Sequence, residues 1–150
     1  MKSNAASYKR AAILSASPER LILMLFDGAL DAMRRAKEGF QIEDFKVRNE
    51  TISNNLIKAQ DIFSELQSSL RMDKGGEFAD RMYGLYDFYN QKLNEANFKK
   101  EIEPIDLVLR LANDIRDAWA EMLTKQAPKA RPAPVAYGNT GVGGGISLRA

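Results

Sequence analysis

The chain of 150 residues contains no histidine and no cysteine. Without histidine it has no general base that titrates near neutral pH, no Ser-His pair and no imidazole ligand for a metal. Without cysteine it has no disulfide framework and no thiolate metal site. It also has no glycine-rich phosphate loop on a strand-to-helix turn. We therefore expect a protein that is not an enzyme, with no catalytic residues, no metal and no cofactor.

Long apolar segments are also missing. The longest apolar run is Leu21–Phe26, whereas a membrane span needs about 20 apolar residues. The first residues, Met1–Tyr8, are polar and contain no apolar stretch typical of a secretory signal. We therefore expect a cytoplasmic protein without membrane insertion, and the lack of cysteine fits a reducing compartment.

Most of the chain has little net charge, because acidic and basic residues nearly balance. The net charge is +2, and residues 125–150 alone carry four bases (Lys125, Lys129, Arg131 and Arg149) and no acid. The remaining body is therefore close to neutral and lacks the clustered basic face that binds a phosphate backbone, so no nucleic-acid partner is expected. The small clusters Arg34-Arg35 and Lys99-Lys100 leave one alternative open. This is a nucleic-acid-binding helical regulator, which would bind with a steep salt dependence.

Four segments have the start signals and the apolar spacing of amphipathic helices. The first signal is Ser17-Pro18-Glu19, with a good N-cap, a proline suited to the first turn and an acid that favours a helix N-terminus. Asp73-Lys74-Gly75-Gly76 is a break between helices. The predicted helices are Pro18–Glu38, Glu43–Met72, Glu77–Asn97 and Glu103–Lys125.

Apolar residues recur at spacings of three and four along each predicted helix, and no segment alternates like a strand. The predicted core residues are Ile22, Leu25, Phe26, Ala29, Met33, Ala36, Ile52, Leu56, Ala59, Phe63, Leu66, Leu70, Phe78, Met82, Leu85, Tyr89, Leu93, Ala96, Ile105, Val108, Ala112, Ile115, Trp119 and Leu123. This pattern predicts an all-α fold, an antiparallel four-helix bundle over residues 17–125. Residues 1–16 would form an N-terminal lid segment. Residues 126–150, rich in Pro and Gly, would form a disordered tail.

The helices also carry more apolar side chains than one core stripe needs. The residues that point away from the stripe or lie at its edge are Leu21, Leu23, Met24, Leu30, Ile57, Tyr83, Tyr86, Phe88, Leu107 and Leu111. Such a surplus favours a surface that binds a partner, although each residue could also pack between helices. A self-associating bundle, hence a homodimer of the free protein, is a further alternative. Tyr8, Ile13 and Leu14 could cover such a surface or belong to a frayed terminus.

Three ordered motifs resemble the flagellin-specific export chaperones of the bacterial flagellum, the FliS family. The first is residues 17–30, SPERLILMLFDGAL. The second is Lys74–Glu77 followed by Leu85–Tyr89, then Leu93 and Ala96-Asn97. The third is Ile105-Asp106 with Val108-Leu109 and Ala118-Trp119. The resemblance covers about residues 5–124, and Tyr8 stands where the family has a tyrosine. The Pro at position 104 and the long tail depart from the family pattern.

The resemblance implies a function and a set of partners. Family members are four-helix bundles that bind the disordered C-terminal region of flagellin in the cytoplasm, prevent its premature polymerisation and deliver it to the flagellar type III export gate. The implied partners are the flagellin C-terminal segment, the gate component FlhA when the chaperone is loaded, and in some members the anti-sigma factor FlgM.

The resemblance and the apolar surplus together predict a set of protein-binding residues. They are Tyr8, as part of the lid, with Leu21, Leu23, Met24, Asp27, Leu30, Ile57, Tyr83, Tyr86, Asp87 and Phe88. Asp27 and Asp87 could bind the partner backbone or cap local structure, and both roles stay open. Gly28 is expected to allow close helix approach. The end of the tail, Ile146–Arg149, loosely resembles the end of many flagellins and could occupy the groove as a weak self-inhibitor.

Overall fold

The computed structural model describes residues 2–126, which form five α-helices and no β-strand within that range. The helices are α1 (Lys2–Ser15), α2 (Pro18–Gly39), α3 (Phe45–Ser68), α4 (Gly76–Lys99) and α5 (Glu103–Gln126). Helices α2 to α5 are the four that the sequence predicts. The predicted tail beyond Gln126 lies outside the described residues.

Side-chain caps fix where α2 and α3 begin. The hydroxyl of Ser17 accepts the backbone N–H of Arg20 at 3.1 Å, and the carboxylate of Asp44 accepts that of Val47 at 2.9 Å. Asp44 is therefore the cap of α3, and the helix starts later than predicted. It also ends at Ser68, four residues before the predicted Met72, where serine hydroxyls bond to the carbonyl of Glu65. Such bonds compete with continued helix formation.

Contacts between helix ends establish the topology. Helix α2 packs on α3 and α5, and α4 packs on the same two helices, so the four form a closed ring. The indole N–H of Trp119, near the end of α5, donates to the carbonyl of Glu19 at the start of α2 at 2.9 Å. Lys37, at the end of α2, pairs with Asp106, at the start of α5, at 2.6 Å. These opposite pairings confirm the predicted antiparallel four-helix bundle.

Aromatic rings fill the middle of the core. Phe26, Phe63, Tyr86 and Tyr89 are all buried, and their contacting ring centroids are 5.0 to 6.3 Å apart. Every residue that the sequence assigns to the core is buried or half-buried. The spacing of three and four therefore identified the core stripe on each of α2 to α5.

Two glycines let α2 and α3 approach each other closely. A Cβ on Gly28 would lie 3.3 Å from the Cδ1 atom of Ile62, as expected for a glycine that allows close packing. A Cβ on Gly39 would lie 3.0 Å from Thr51 and 3.2 Å from Ile52. The contact at Gly39 includes the backbone of α3 and is the tighter of the two, whereas at Gly28 only the end of the Ile62 side chain would have to shift.

The N-terminal segment differs from the expected lid. It forms the helix α1, and its residues 5–15 are all exposed, with Tyr8 at 78% and Leu14 at 79%. In this structure the side chain of Tyr8 therefore leaves the bundle uncovered. Lys2–Ser15 contains only a few large apolar side chains, so it has little to bury against the core, while its alanines favour a helix.

Candidate binding surfaces

Three of the predicted binding residues are buried in the core, so their assignment to a surface is wrong. Leu23 is 6% exposed, Leu30 is 2% exposed and Tyr86 is fully buried. Helix α2 lies between α3 and α5, and the apolar arc that it buries is wider than a single stripe. Leu23 and Leu30 belong to the flank of α2 that faces α5, while Tyr86 lies at the centre of the aromatic cluster.

The remaining predicted residues of α2 lie on its outer side. Leu21 and Met24 are half-buried, and Asp27 is exposed. The carboxylate of Asp27 accepts the Nε–H of Arg116 at 2.7 Å. This bond, followed by the one to Asp117, raises the pKa of the Arg116 guanidinium. Asp27 therefore ties α2 to α5, which is neither of the two roles that the sequence left open.

A row of hydrogen bonds joins α3 and α4 along their outer side. Its members, here called the polar seam, are Ser53, Gln60, Ser64 and Gln67 of α3 with Asp87, Asn90 and Asn97 of α4. The amide of Gln67 donates to both the Asp87 carboxylate and the Tyr83 carbonyl at 3.0 Å. Ile57 and Tyr83 flank the seam with 47% and 43% of their surface exposed. The structure thus places Ile57, Tyr83 and Asp87 on one face.

The opposite flank of α4 is apolar. Because the polar seam marks the side of α4 that faces α3, the other flank must face α5. That flank carries Phe78, Leu85 and Phe88, which are half-buried against the core. The ammonium group of Lys92 lies 5.7 Å from the centre of the Phe88 ring. Of the predicted binding residues, only Phe88 lies here.

Helix α5 supplies the facing apolar flank. Arg116 and Asp106 mark the side of α5 that faces α2, so Leu111, Ile115 and Met122 face α4. All three are half-buried against the core. We call the half-buried apolar residues Phe78, Leu85, Phe88, Leu111, Ile115 and Met122 the α4/α5 groove.

An open depression of about 280 Å³ lies at one end of this groove, lined by Ala118, Glu121, Met122 and Lys125.

Most of the groove residues are not recognisable as a surface from the sequence. Leu85 and Ile115 were assigned to the core, and Met122 was not singled out. The signal in the sequence was a second apolar stripe on α5, at Leu111, Ile115, Ala118 and Met122, beside the core stripe. A stripe of this kind shows that a second flank is apolar. Which neighbour covers that flank, and how far, depends on the order of helices in the bundle.

The chemistry of these surfaces is that of binding. Among residues 2–126, no group of three or more acidic, histidine or cysteine side chains is placed to hold a metal ion. No helix in the same range is long and apolar enough to cross a membrane. The half-buried apolar side chains of the α4/α5 groove have the character of surfaces that receive an amphipathic segment of another protein.

Comparisons with known proteins agree with this chemistry. The family model described as "Flagellar protein FliS" matches residues 1–126. The "Flagellar secretion chaperone FliS" of Salmonella typhimurium is 36% identical over 116 residues, covering 77% of this chain and 83% of the relative. That of Bacillus subtilis is 32% identical over 120 residues, covering 80% and 86%. A solved structure titled "Crystal structure of flagellar chaperone from bacteria" shares the fold, with a TM-score of 0.64, 21% identity, and coverage of 81% of this chain and 98% of the other.

The fold and these relatives define the class as a helical flagellar secretion chaperone, which is not an enzyme. Within this class, the chain belongs to the FliS family. The resemblance that the three sequence motifs indicated is therefore confirmed.

Proposed function

We propose that this chaperone binds the disordered C-terminal segment of flagellin in the cytosol, prevents its premature polymerisation and delivers it to the flagellar type III export gate. The observation that carries the proposal is the α4/α5 groove, where the first part of α4 and the later part of α5 present half-buried apolar flanks to each other. A client segment that folds into an amphipathic helix would place its apolar side chains there. Burial of those side chains would offset the entropy that the client loses on ordering.

Client contacts outside the groove follow from the remaining predicted residues. Leu21 and Met24 on α2, and Ile57 and Tyr83 beside the polar seam, offer further apolar positions on other faces. A client that wraps around the bundle would reach several of them in turn. Contacts by these residues, and by Asp87 and Tyr8, stay predictions, as do delivery to FlhA, binding of FlgM and a homodimer of the free protein.

Calorimetric titration with a peptide of the flagellin C-terminal region tests the proposal. A variant with Phe88→Ser and Met122→Ser removes one apolar group from each side of the groove. We expect its affinity to fall at least tenfold, which corresponds to about 1.4 kcal/mol. The matched control is Phe45→Ser with Val47→Ser, because both residues are exposed on α3 far from the groove. Its affinity should change by less than about twofold.

Circular dichroism must show that both variants remain helical. Equal losses in the two variants would reject the groove as the main client site. No binding by the folded wild type would reject flagellin as the client.

A further inference from the structure

The outer face of α3 and α4 exposes large apolar side chains. Ile57, Tyr83 and Phe98 are exposed by 47%, 43% and 87% of their surface. Ile57 lies one turn after Ser53, and Phe98 follows Asn97, whose amide donates to the Ser53 hydroxyl at 3.2 Å. Ile57 and Phe98 therefore lie at one end of this face, and Tyr83 lies toward the other. The hydrogen bonds of the polar seam join α3 to α4, but they do not cover these three side chains, which remain accessible to a partner.

Two carboxylates flank the exposed ring of Tyr83 on α4, and a third lies farther along the same outer face, on α3. Asp80 and Asp87 lie one turn before and after it on α4, and Asp61 lies on α3 next to Gln60 of the polar seam. Within residues 2–126, none of these three carboxylates forms an ion pair. This face therefore combines exposed apolar groups with uncompensated negative charge, and a basic segment with apolar side chains would complement it.

The chain itself contains a segment of that composition. Residues 127–150 include Lys129, Arg131 and Arg149 but no acidic residue. The part closest to α5, residues 128–137, reads PKARPAPVAY and places two bases before Val135 and Tyr137. Its three prolines restrict the backbone, which lowers the entropy lost when the segment binds.

The segment also begins close to the face on which it would dock. Because α4 and α5 are antiparallel, α5 ends at Gln126 beside the start of α4. Tyr83 lies seven residues into α4, roughly 10 Å along its axis. The eleven residues from 127 to 137 can span up to roughly 36 Å. This is enough to cross one helix about 10–12 Å in diameter and reach Tyr83 and Asp87.

We propose that residues 128–137 dock in cis on the outer face of α3 and α4, with Lys129 and Arg131 beside Asp80 and Asp87 and with Val135 and Tyr137 against the exposed ring of Tyr83. Docking shields this ring and compensates the two carboxylates in the free protein. It needs no flagellin, so the test below is independent of the proposed client.

A spin label tests this contact in the full-length protein. The chain has no cysteine, so Ala133→Cys provides a single attachment site inside the segment. Docking predicts that the label attenuates the amide signals of residues 83–87 on α4 at least twofold more than those of residues 23–27 on α2. The difference should largely vanish on going from low to high salt, because the contact is partly ionic and exposed. It should also vanish in Asp80→Asn/Asp87→Asn, which keeps the side-chain shapes and the Gln67 hydrogen bond.

The matched control is Glu38→Gln/Glu43→Gln, which removes two exposed carboxylates at the other end of the bundle and should keep the difference. Equal attenuation on α2 and α4 would overturn the proposal, as would attenuation centred on the α4/α5 groove. Attenuation that appears only between labelled and isotope-enriched molecules in a mixture would show docking in trans and overturn the cis contact.

Discussion

At the scale of single residues, Tyr89 has an unusual environment. Its hydroxyl is buried and has no hydrogen-bond partner in the described part of the chain. Burial, and secondarily the negative charge of Asp114, raise the pKa of Tyr89 to about 12. The core thus holds a polar group that favours only the neutral form of the side chain.

Tyr89→Phe should raise the free energy of unfolding by about 1 kcal/mol, because it removes a buried polar group that lacks a partner. The effect on pH dependence has a definite sign. In the unfolded chain the tyrosine loses its proton near its ordinary pKa of 10, but in the folded protein it keeps it until about pH 12. With respect to Tyr89, the free energy of unfolding of the wild type is therefore constant below about pH 10 and falls as the pH rises toward 12.

Urea unfolding at several pH values checks both effects. The fluorescence of Trp119, the one tryptophan in the sequence and buried at the α2/α5 contact, reports the transition. The variant should lose less stability than the wild type between pH 10 and 12. An unchanged alkaline slope would show that Tyr89 does not titrate in this range.

The tyrosines of α4 provide a second test at this scale. Tyr86→Ala should lower the free energy of unfolding by about 3–5 kcal/mol, because it empties the centre of the aromatic cluster. Tyr83→Ala removes a half-exposed ring and should cost less than about 1 kcal/mol. Thermal unfolding distinguishes the two. Equal losses would contradict the placement of Tyr86 inside and Tyr83 outside.

At the scale of helices, the start of α2 depends on one hydroxyl. Ser17→Ala removes the cap on the backbone N–H of Arg20 and should destabilise the bundle by about 1 kcal/mol. The control is Ser15→Ala, because the Ser15 hydroxyl bonds only within α1, which is exposed. Denaturant titration of the two variants measures the difference. A Ser15 effect as large as that of Ser17 would show that α1 contributes to bundle stability.

Helix α1 provides a further test of the lid. In this structure Tyr8 and Leu14 are both more than three-quarters exposed, so Tyr8→Ser/Leu14→Ser should change the free energy of unfolding by less than about 0.5 kcal/mol. The melting temperature of the full-length variant provides the measurement. A clear loss of stability would show instead that α1 packs on the bundle in solution, as the predicted lid would.

At the scale of the whole molecule, the proposed function predicts a thermodynamic signature. Client binding should have a negative change in heat capacity, because it buries the apolar groove. The affinity for the flagellin peptide should also depend only weakly on salt. Binding of DNA or RNA, which the nucleic-acid alternative requires, would depend steeply on it. Calorimetry at several temperatures and salt concentrations measures both. A heat-capacity change near zero would contradict apolar burial as the driving force.

Residue spacing and local capping groups were enough to predict helices α2 to α5, their core stripes and the family, but not the helix α1. Helix starts are local, since Ser17 and Asp44 cap backbone groups only three residues away, and a core stripe follows from the helical repeat alone. Each family motif likewise lies within a single helix or across its first residues. For these reasons, the periodicity of α2 to α5 was enough to predict the bundle.

Which apolar flanks are covered depends on the packing of the helices against one another. Leu23 and Phe88 both lie off the core stripes in sequence, yet α5 covers Leu23 while Phe88 remains half-buried. The partners of Asp27 and Asp87 were also out of reach, because Arg116 and Gln67 lie on other helices. Exposure of a flank depends on the order and distance of neighbouring helices, which no periodicity within one helix encodes.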